Sequence, residues 1–249
     1  MRAQDYTWVI TRPHIDAGIW LQKLAHLNIR AISFPCLQIS AQYVTNLDLG
    51  LTQQIQESDL LIVTSSNSIR CLPDDGLNAL KRQSGKIISI GSGTSATLEQ
   101  HNIRPYFTGS RGFDSERLLA SDFLQSEIIR HKKIVILSGQ GGRGVLEQQL
   151  KLRGAFVQKL EVYQRQCPDV SAKALLEKLQ NQNAIFVITS QSALKNLLKI
   201  VPIEWHDWLK QQKFVVVSQR IKNFARQQKF SSVINTSSTS IEDIVNQFS

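Results

Sequence analysis

The sequence contains few cysteines and no long apolar run. Its three cysteines, Cys36, Cys71 and Cys167, include no CxxC pair and lie near no histidine pair. This spacing excludes the usual zinc motifs and a disulfide framework. Free thiols are typical of a reducing compartment, so we predict a cytoplasmic protein. No run is long enough to span a membrane, and the apolar run near the N-terminus is too short for a signal peptide.

Motifs for nucleotides, metals and hydrolytic nucleophiles are also absent. The segment SGQGGRG at 138–144 has neither the Gly-Lys-Ser/Thr ending of a P-loop nor the spacing of a dinucleotide fingerprint. The five histidines lack metal-ligand spacing, and no GxSxG turn or Cys-His signature occurs. We therefore predict a protein that uses no cofactor and no metal.

The chain carries an excess of positive charge. It has 29 Lys and Arg residues against 20 Asp and Glu residues, a formal net charge of +9. This balance indicates a polyanionic partner, although many proteins are mildly basic for no special reason. Basic residues do not alternate with aromatic ones in a stripe, so nucleic-acid binding rests on net charge alone. We expect an acidic small molecule rather than a nucleic acid or a membrane.

Two parts of the sequence repeat each other. Residues 60–72 (LLIVTSSNSIRCL) resemble residues 185–197 (IFVITSQSALKNL), and each is an apolar run followed by Thr-Ser and a helical pattern. A second pair of similar segments begins at Lys86 and at Lys213. The repeat predicts two similar α/β domains.

Short runs rich in Val and Ile alternate with helical patterns along the chain. Most of these strands are apolar on both faces, which is typical of parallel sheets covered by helices on both sides. A sheet usually holds about five strands, so the number of runs predicts an α/β fold with two parallel sheets. The predicted strands are 8–11, 31–34, 37–41, 60–64, 86–90, 105–107, 134–137, 156–162, 184–189, 214–218 and 232–235.

The boundary between the two domains follows from counting strands. The second copy of the repeat provides only three strands before the chain ends, and the two strands before Pro35 complete its sheet. Two sequential domains split near residue 130 are the alternative. The predicted parts are a discontinuous first domain at 1–34 and 170–249, an inserted second domain at 40–160, and linker strands at 35–39 and 161–169.

Polar and small residues follow most of the predicted strands. Ligands of parallel α/β sheets bind beyond the carboxyl ends of the strands, and helix N-termini there favour carboxylates or phosphates. N-capping is the alternative explanation for any single loop, but the number of loops favours a shared ligand cleft. The candidate substrate-binding residues in these loops are Arg12, Thr64, Ser65, Ser66, Asn67, Gly91, Ser92, Thr94, Gly139, Arg143, Thr189, Ser190, Ser218 and Arg220.

Tyr163 directly follows the predicted strand 156–162, where the chain crosses back between the predicted domains. A phenol at this place suits a role in a ligand cleft. A half-buried tyrosine at a domain interface is the alternative, and the sequence pattern alone favours it.

A series of short motifs runs along almost the whole chain in a fixed order. The motifs are Thr11-Arg12-Pro13, Phe34-Pro35, Thr64-Ser65, 90–94 (IGSGT), 115–119 (SERLL), Gly142-Arg143 with Leu146, Leu150, Gly154 and Val157, 162–165 (VYQR), and Thr189-Ser190. Each motif is degenerate, but their order and spacing together resemble the uroporphyrinogen-III synthase family of tetrapyrrole biosynthesis.

The resemblance implies a fold and a reaction. The fold is two flavodoxin-like domains, one inserted into the other, joined by a two-stranded linker. The reaction is the cofactor-free cyclisation of linear hydroxymethylbilane to uroporphyrinogen III, with inversion of ring D and loss of water. Its substrate carries eight carboxylates, which suit the net charge of +9.

The resemblance also implies roles for individual residues. Tyr163 matches the family's candidate acid for the departing hydroxyl group. The segment 218–222 departs from the family pattern, which often has Gly followed by Thr-Ala at this loop. Without that threonine, Arg220 or Lys222 is the expected partner of a substrate carboxylate.

Two other functions stay open at this point. A non-enzymatic, two-lobed binder of a polycarboxylate metabolite would share the fold and differ only in turnover. A nucleic-acid-binding accessory protein would show a steep salt dependence of its affinity. We expect a monomer, since no exposed apolar helix or heptad indicates an interface. We also expect that the preceding enzyme of the pathway hands over the substrate.

Overall fold

A computed structural model of the chain describes residues 2–42, 50–109, 115–142, 144–236, 238 and 240–248. In these residues the strands are β1 Thr7–Ile10, β2 Ala31–Ser33, β3 Gln38–Ala41, β4 Leu60–Val63, β5 Lys86–Ser89, β6 Phe107–Thr108, β7 Lys133–Gly139, β8 Phe156–Gln166, β9 Ala184–Ile188, β10 Lys213–Val216 and β11 Ser232–Asn235. The α-helices are α1 His14–His26, α2 Gly50–Gln56, α3 Ser66–Arg70, α4 Asp74–Arg82, α5 Ser92–Gln100, α6 Ser115–Leu119, α7 Ser126–Ile129, α8 Val145–Leu152, α9 Lys173–Leu179, α10 Gln191–Ile200, α11 His206–Gln211, α12 Gln219–Gln227 and α13 Ile241–Val245.

The chain divides into two compact units. The first unit combines Met1–Gln38 with Gln166–Ser249, and the second unit is Ile39–Arg165. Each unit is built around one sheet of the predicted α/β type.

The sheet of the first unit has the order β11-β10-β9-β1-β2. All four of its strand pairs are parallel. Two strands come from the N-terminal segment and three from the C-terminal third of the chain, and β1 joins the two groups by pairing with β9.

Consecutive residues of β9 face opposite sides of this sheet. Phe186 and Ile188 pack in a core with α9, α10, α11 and α12. Ile185 and Val187 pack in a second core with α1 and α13. Burial of both faces explains why this strand is an unbroken apolar run.

The sheet of the second unit has the order β3-β8-β7-β4-β5-β6. The four strand pairs from β8 to β6 are parallel. Strand β3 joins the edge beside β8, where the backbone N–H of Gln42 donates to the carbonyl of Val162 at 2.9 Å. Helices α2 to α5 pack on one face of this sheet, and α6 to α8 pack on the other.

The predicted α/β fold with two parallel sheets is confirmed, and most strand bounds differ from the predicted ones by one or two residues. Strand β8 continues to Gln166 instead of ending at Val162, because Tyr163 still pairs with Gly139 of β7. Strand β6 begins at Phe107 and not at the predicted Pro105, since proline has no N–H to donate to a neighbouring strand. Helix α8 ends at Leu152 and is followed by Gly154 at a φ of +85°, a conformation that favours glycine.

Candidate active site

A cavity of about 170 Å³ opens within the second unit near the C-terminal ends of β4 and β7. This is the edge where parallel α/β sheets bind ligands. The cavity brings together the predicted residues Thr64, Ser65, Gly139 and Tyr163 with residues that were not predicted as site residues. Its full lining is Thr64, Ser65, Ile136, Ser138, Gly139, Gly142, Leu146, Glu147, Lys159, Tyr163 and Arg165.

A larger cavity of about 530 Å³ lies at the opposite edge of the same sheet, where β7 and β8 begin. Its lining includes Lys133, Phe156 and Gln158 and none of the predicted site residues. The smaller cavity is the better candidate, because it lies where the polar loops follow the strands.

A bulge in the β7–β8 pair sets the direction of Tyr163. Ser138 pairs with Glu161, but the next residue, Gly139, pairs with Tyr163, so Val162 is an extra residue in β8. An extra residue interrupts the alternation of side chains along a strand. Val162 and Tyr163 consequently pack in the same core.

Tyr163 is fully buried, and its ring lies directly against Gly139. A Cβ atom at position 139 would come within 3.0 Å of three atoms of the ring, Cζ, Cε1 and Cε2. Only glycine leaves room for the Tyr163 ring at position 139. Gly139 thus has a packing role, in addition to the substrate-binding role predicted for it. Tyr163 is thus more deeply buried than the half-buried interface tyrosine that the sequence pattern favoured.

The hydroxyl of Tyr163 accepts a hydrogen bond from Arg165. The Nη2 of Arg165 donates to Oη at 2.7 Å, and the guanidinium carbon lies 5.0 Å from the centre of the phenol ring. Arg165 follows Tyr163 by two residues in β8, so both side chains project to the same face of the strand. The contact joins a buried phenol to an exposed cation.

Three further polar residues line the cavity. Lys159 is paired with Glu161, and Glu147 is paired with Lys151 at 2.6 Å. Ser138 is 6% exposed, and its Oγ is buried without a hydrogen-bond partner. A buried hydroxyl without a partner is costly, which makes this atom a candidate contact for a bound ligand.

The Thr-Ser turn after β4 is tied to its surroundings by hydrogen bonds. Thr64 Oγ1 donates to the carbonyl of Leu137 at 3.0 Å. Ser65 caps α3, and its Oγ accepts from the backbone N–H of Asn67 at 3.2 Å. Ser66 Oγ donates to the carbonyl of Gly93 at 2.9 Å, which joins this turn to the next loop. N-capping, the alternative explanation given for these polar residues, thus accounts for Ser65.

The three predicted residues of the loop after β5 differ in their exposure. Gly91 is the N-cap of α5, and a Cβ there would meet nothing within 4 Å. Ser92 is exposed at the start of this helix, whereas Thr94 is 6% exposed and packs inside the unit. Ser92, rather than Thr94, therefore carries the accessible hydroxyl of this loop.

The first unit holds its predicted residues at the ends of β1, β9 and β10, which are neighbours in one sheet. Arg12 follows β1, binds Asp16 at 3.2 Å and lies over the ring of Trp20 at 4.6 Å. Its Nε is buried without a hydrogen-bond partner. Arg12 is therefore a fixed cation whose buried Nε–H has no acceptor among the described residues.

The loops after β9 and β10 begin the helices α10 and α12. Ser190 and Ser218 are N-caps, and their Oγ atoms accept backbone N–H groups at 3.1 and 3.4 Å. Thr189 precedes Ser190 and is half-buried.

Two cations lie in the first turn of α12. Arg220 is exposed, Lys222 is half-buried, and neither forms an ion pair within the described residues. Both are thus available to an anion. Arg143, the remaining predicted contact, lies outside the described residues.

Sequence reasoning missed Ser138 and Lys159 and assigned no role to Arg165. Ser138 lies in the Gly-rich segment that was noticed for another reason, and only the structure reveals that its hydroxyl lacks a partner. Arg165 follows Tyr163 by two residues in a predicted extended segment, and this spacing was a usable signal. The bulge at Val162 has no signature in the sequence.

The histidines, cysteines and carboxylates within the described residues form no metal site. The described residues contain no group of three or more His, Cys, Asp or Glu side chains that could hold a metal ion. Burial, with a smaller effect of Cys167, raises the pKa of the Cys36 thiol, and burial also raises the pKa of Cys71. A search of the described helices finds none with the length and apolarity of a membrane span.

Comparisons with known proteins agree with the fold and with the motifs. Residues 20–246 match the family model described as uroporphyrinogen-III synthase HemD. The uroporphyrinogen-III synthase of Salmonella typhimurium is 29% identical over 236 residues, covering 88% of this chain and 90% of the relative. That of Escherichia coli K12 is 28% identical over 226 residues, with the same coverage of 88% and 90%.

A solved structure shows that the fold is shared as well. The uroporphyrinogen-III synthetase of Helicobacter pylori superposes with a TM-score of 0.67 at 14% identity, covering 97% of both chains. At this identity the superposition supports the fold alone, and the family model carries the assignment. Because that model matches most of the sequence, the chain belongs to the uroporphyrinogen-III synthase family.

Proposed function

We propose that this protein converts hydroxymethylbilane into uroporphyrinogen III, acting as a cofactor-independent hydro-lyase. The family match over residues 20–246 carries the proposal. It is supported by the cavity in the second unit, where a buried phenol, a free cation and an unpaired hydroxyl lie beside the ends of parallel strands.

The proposed reaction balances with water as the only other product. The terminal hydroxyl of the bilane leaves to give an azafulvene, and the substituted carbon of ring D attacks it. The spiro intermediate fragments and closes again with ring D inverted. The protein contributes by holding a flexible chain in the one geometry that leads to this isomer.

We assign the acid step to Tyr163. Its Oη proton passes to the departing hydroxyl group, which leaves as water, and the proton released when the macrocycle forms returns to the phenolate. Acid assistance of this kind accelerates a reaction by about 10²–10⁴-fold. The position of Tyr163 against Gly139 supports the assignment, because the ring is held in one place.

The predicted loops are assigned to the substrate carboxylates. Helix N-termini offer N–H groups and partial positive charge. Arginine and lysine supply charge-assisted hydrogen bonds. The proposed contacts are Arg12, Thr64, Ser65, Ser66, Asn67, Gly91, Ser92, Gly139, Arg143, Thr189, Ser190, Ser218, Arg220 and Lys222.

The setting of the reaction is also part of the proposal. Three free thiols suit a reducing cytoplasm. Hydroxymethylbilane closes spontaneously to isomer I, so rapid transfer from the preceding enzyme to a monomeric synthase would protect the yield of isomer III.

An isomer-resolved assay tests the proposed function. Freshly generated hydroxymethylbilane is incubated with the purified protein, the products are oxidised, and uroporphyrins I and III are separated by chromatography. Isomer III well above the no-protein background supports the synthase. Isomer I alone, from protein with a folded circular dichroism spectrum, would leave a polycarboxylate binder as the better description.

A further inference from the structure

The hydrogen bond between Arg165 and Tyr163 has a fixed polarity. A guanidinium group has five N–H donors and no acceptor, so Arg165 can only donate. The phenol oxygen must therefore be the acceptor at 2.7 Å, and the proton on that oxygen must point away from Arg165.

In the part of the chain that the structure describes, Tyr163 Oη donates to no acceptor. The cavity beside it is lined by Thr64, whose own proton is bound to the Leu137 carbonyl, and by Ser138, whose Oγ has no partner. The phenol O–H can therefore donate to a ligand in the cavity.

Arg165 also differs from the other cation of the cavity. Lys159 is paired with Glu161, whereas Arg165 forms no ion pair among the described residues. Its positive charge lies close to the phenol oxygen and is not neutralised by a carboxylate. A cation in this place stabilises the negative charge that develops on the oxygen as the proton leaves.

We infer that Arg165 is a positioning residue for Tyr163, a role that rests on the function proposed above. Arg165 holds the phenol with its proton directed into the cavity and stabilises the phenolate after that proton has passed to the leaving hydroxyl. The O–H bond of Tyr163 breaks, an O–H bond of water forms, and Arg165 exchanges no proton.

A double-mutant cycle tests the coupling of the two residues. Arg165→Met keeps much of the length of the side chain and removes its donors, and we expect kcat to fall at least tenfold with KM changed less than threefold. In a Tyr163→Phe background the same substitution should lower kcat by less than twofold, because the group on which Arg165 acts is gone. Arg165→Lys keeps a donor and should recover at least a third of the wild-type kcat.

The cycle separates this role from two others. If Arg165 were only structural, Arg165→Met would cost the same factor in both backgrounds. If Arg165 bound a substrate carboxylate instead, KM would rise in both backgrounds and kcat would hold. Either result overturns the inference. Lys86→Met is the matched control, since Lys86 lies 4.1 Å over the ring of Tyr106 in the same unit, and its kinetics should match the wild type.

A second measurement does not depend on turnover. N-acetylimidazole acylates accessible tyrosine hydroxyls, and mass spectrometry of peptides reports each site. Exposed Tyr106 provides the reference, and Tyr163 should be protected in the wild type. Arg165→Ala should raise labelling of Tyr163 at least fivefold. Unchanged labelling would show that Arg165 does not hold the phenol, and would overturn the inference.

The failure of this inference can be told apart from the failure of the proposed function. Wild-type protein that makes no isomer III would contradict the proposed function. An active wild type in which the effects of the two substitutions are additive would contradict only the role of Arg165.

Discussion

The two Thr-Ser turns, one in each unit, have the same sequence and nearly the same geometry. Ser65 caps α3 and Ser190 caps α10, each by accepting a backbone N–H at 3.2 and 3.1 Å. Their surroundings differ. The turn of the second unit borders the cavity of Tyr163, whereas the turn of the first unit begins α10, which packs beside α12 and its cations Arg220 and Lys222.

The repeat accounts for the shared fold of the two turns, and the neighbouring strands account for their different surroundings. In the second unit β4 lies beside β7, and β7 pairs with β8 through the bulge that directs Tyr163. In the first unit β9 lies beside β1, and β1 pairs with β2 in an unbroken register. We therefore assign the acid step to the second unit and carboxylate binding by Arg220 and Lys222 to the first.

Tyr163→Phe is the sharpest test of the acid step. Removing the hydroxyl should lower kcat by more than tenfold, and about 100-fold is typical for a lost general acid. KM should change little, because the ring remains in place against Gly139. Steady-state kinetics with isomer separation measures the effect, and an unchanged rate would remove Tyr163 from the mechanism.

Gly139→Ala should have the next largest effect. The new Cβ would overlap the Tyr163 ring and force it to move, with a stability cost of about 1–3 kcal/mol. We expect kcat to fall about tenfold or more, and the double variant with Tyr163→Phe to be little slower than Tyr163→Phe alone. Gly18→Ala is the control, since a Cβ there meets nothing within 4 Å. Wild-type kinetics for Gly139→Ala would mean that the ring has room to adapt.

Replacing both Arg220 and Lys222 by Gln should affect binding rather than turnover. Loss of charge-assisted contacts worth about 1.4 kcal/mol corresponds to roughly a tenfold rise in KM, with kcat within twofold. Arg226→Gln, at the other end of α12, is the matched control. A fall in kcat at constant KM would place part of the chemistry in the first unit.

Ser65→Ala and Ser190→Ala should have the smallest effects. Each removes one helix cap, which costs about 1 kcal/mol of stability. The four tryptophans, Trp8, Trp20, Trp205 and Trp208, all belong to the first unit. Ser190→Ala should therefore shift the unfolding midpoint seen by tryptophan fluorescence. Ser65→Ala should shift only the transition seen by circular dichroism, and a shift in both signals would show that the units unfold together.

Much of the fold was predictable from local patterns. Apolar runs such as Leu60–Val63 and Ala184–Ile188 identify strands that are buried on both faces, and Gly154 marks the end of α8. These features depend on residues close together in the sequence, so a single chain reveals them.

The site was less predictable, because it depends on contacts between distant residues. Ser138 lacks a partner only because of what surrounds it in the sheet, and Tyr163 packs in the same core as Val162 only because of the bulge at Val162. Ser65, Ser190 and Ser218 appear as possible ligands and as caps in the same sequence pattern. Their hydrogen bonds to backbone N–H groups show that capping is at least one of their roles.

The dependence of the isomer ratio on protein concentration tests the central claim most directly. At a fixed initial concentration of hydroxymethylbilane, the spontaneous reaction supplies a constant competing rate to isomer I. The account predicts that the fraction of isomer III rises with added protein until it dominates the product. A fraction that stays at the spontaneous background at every concentration of folded protein would contradict it.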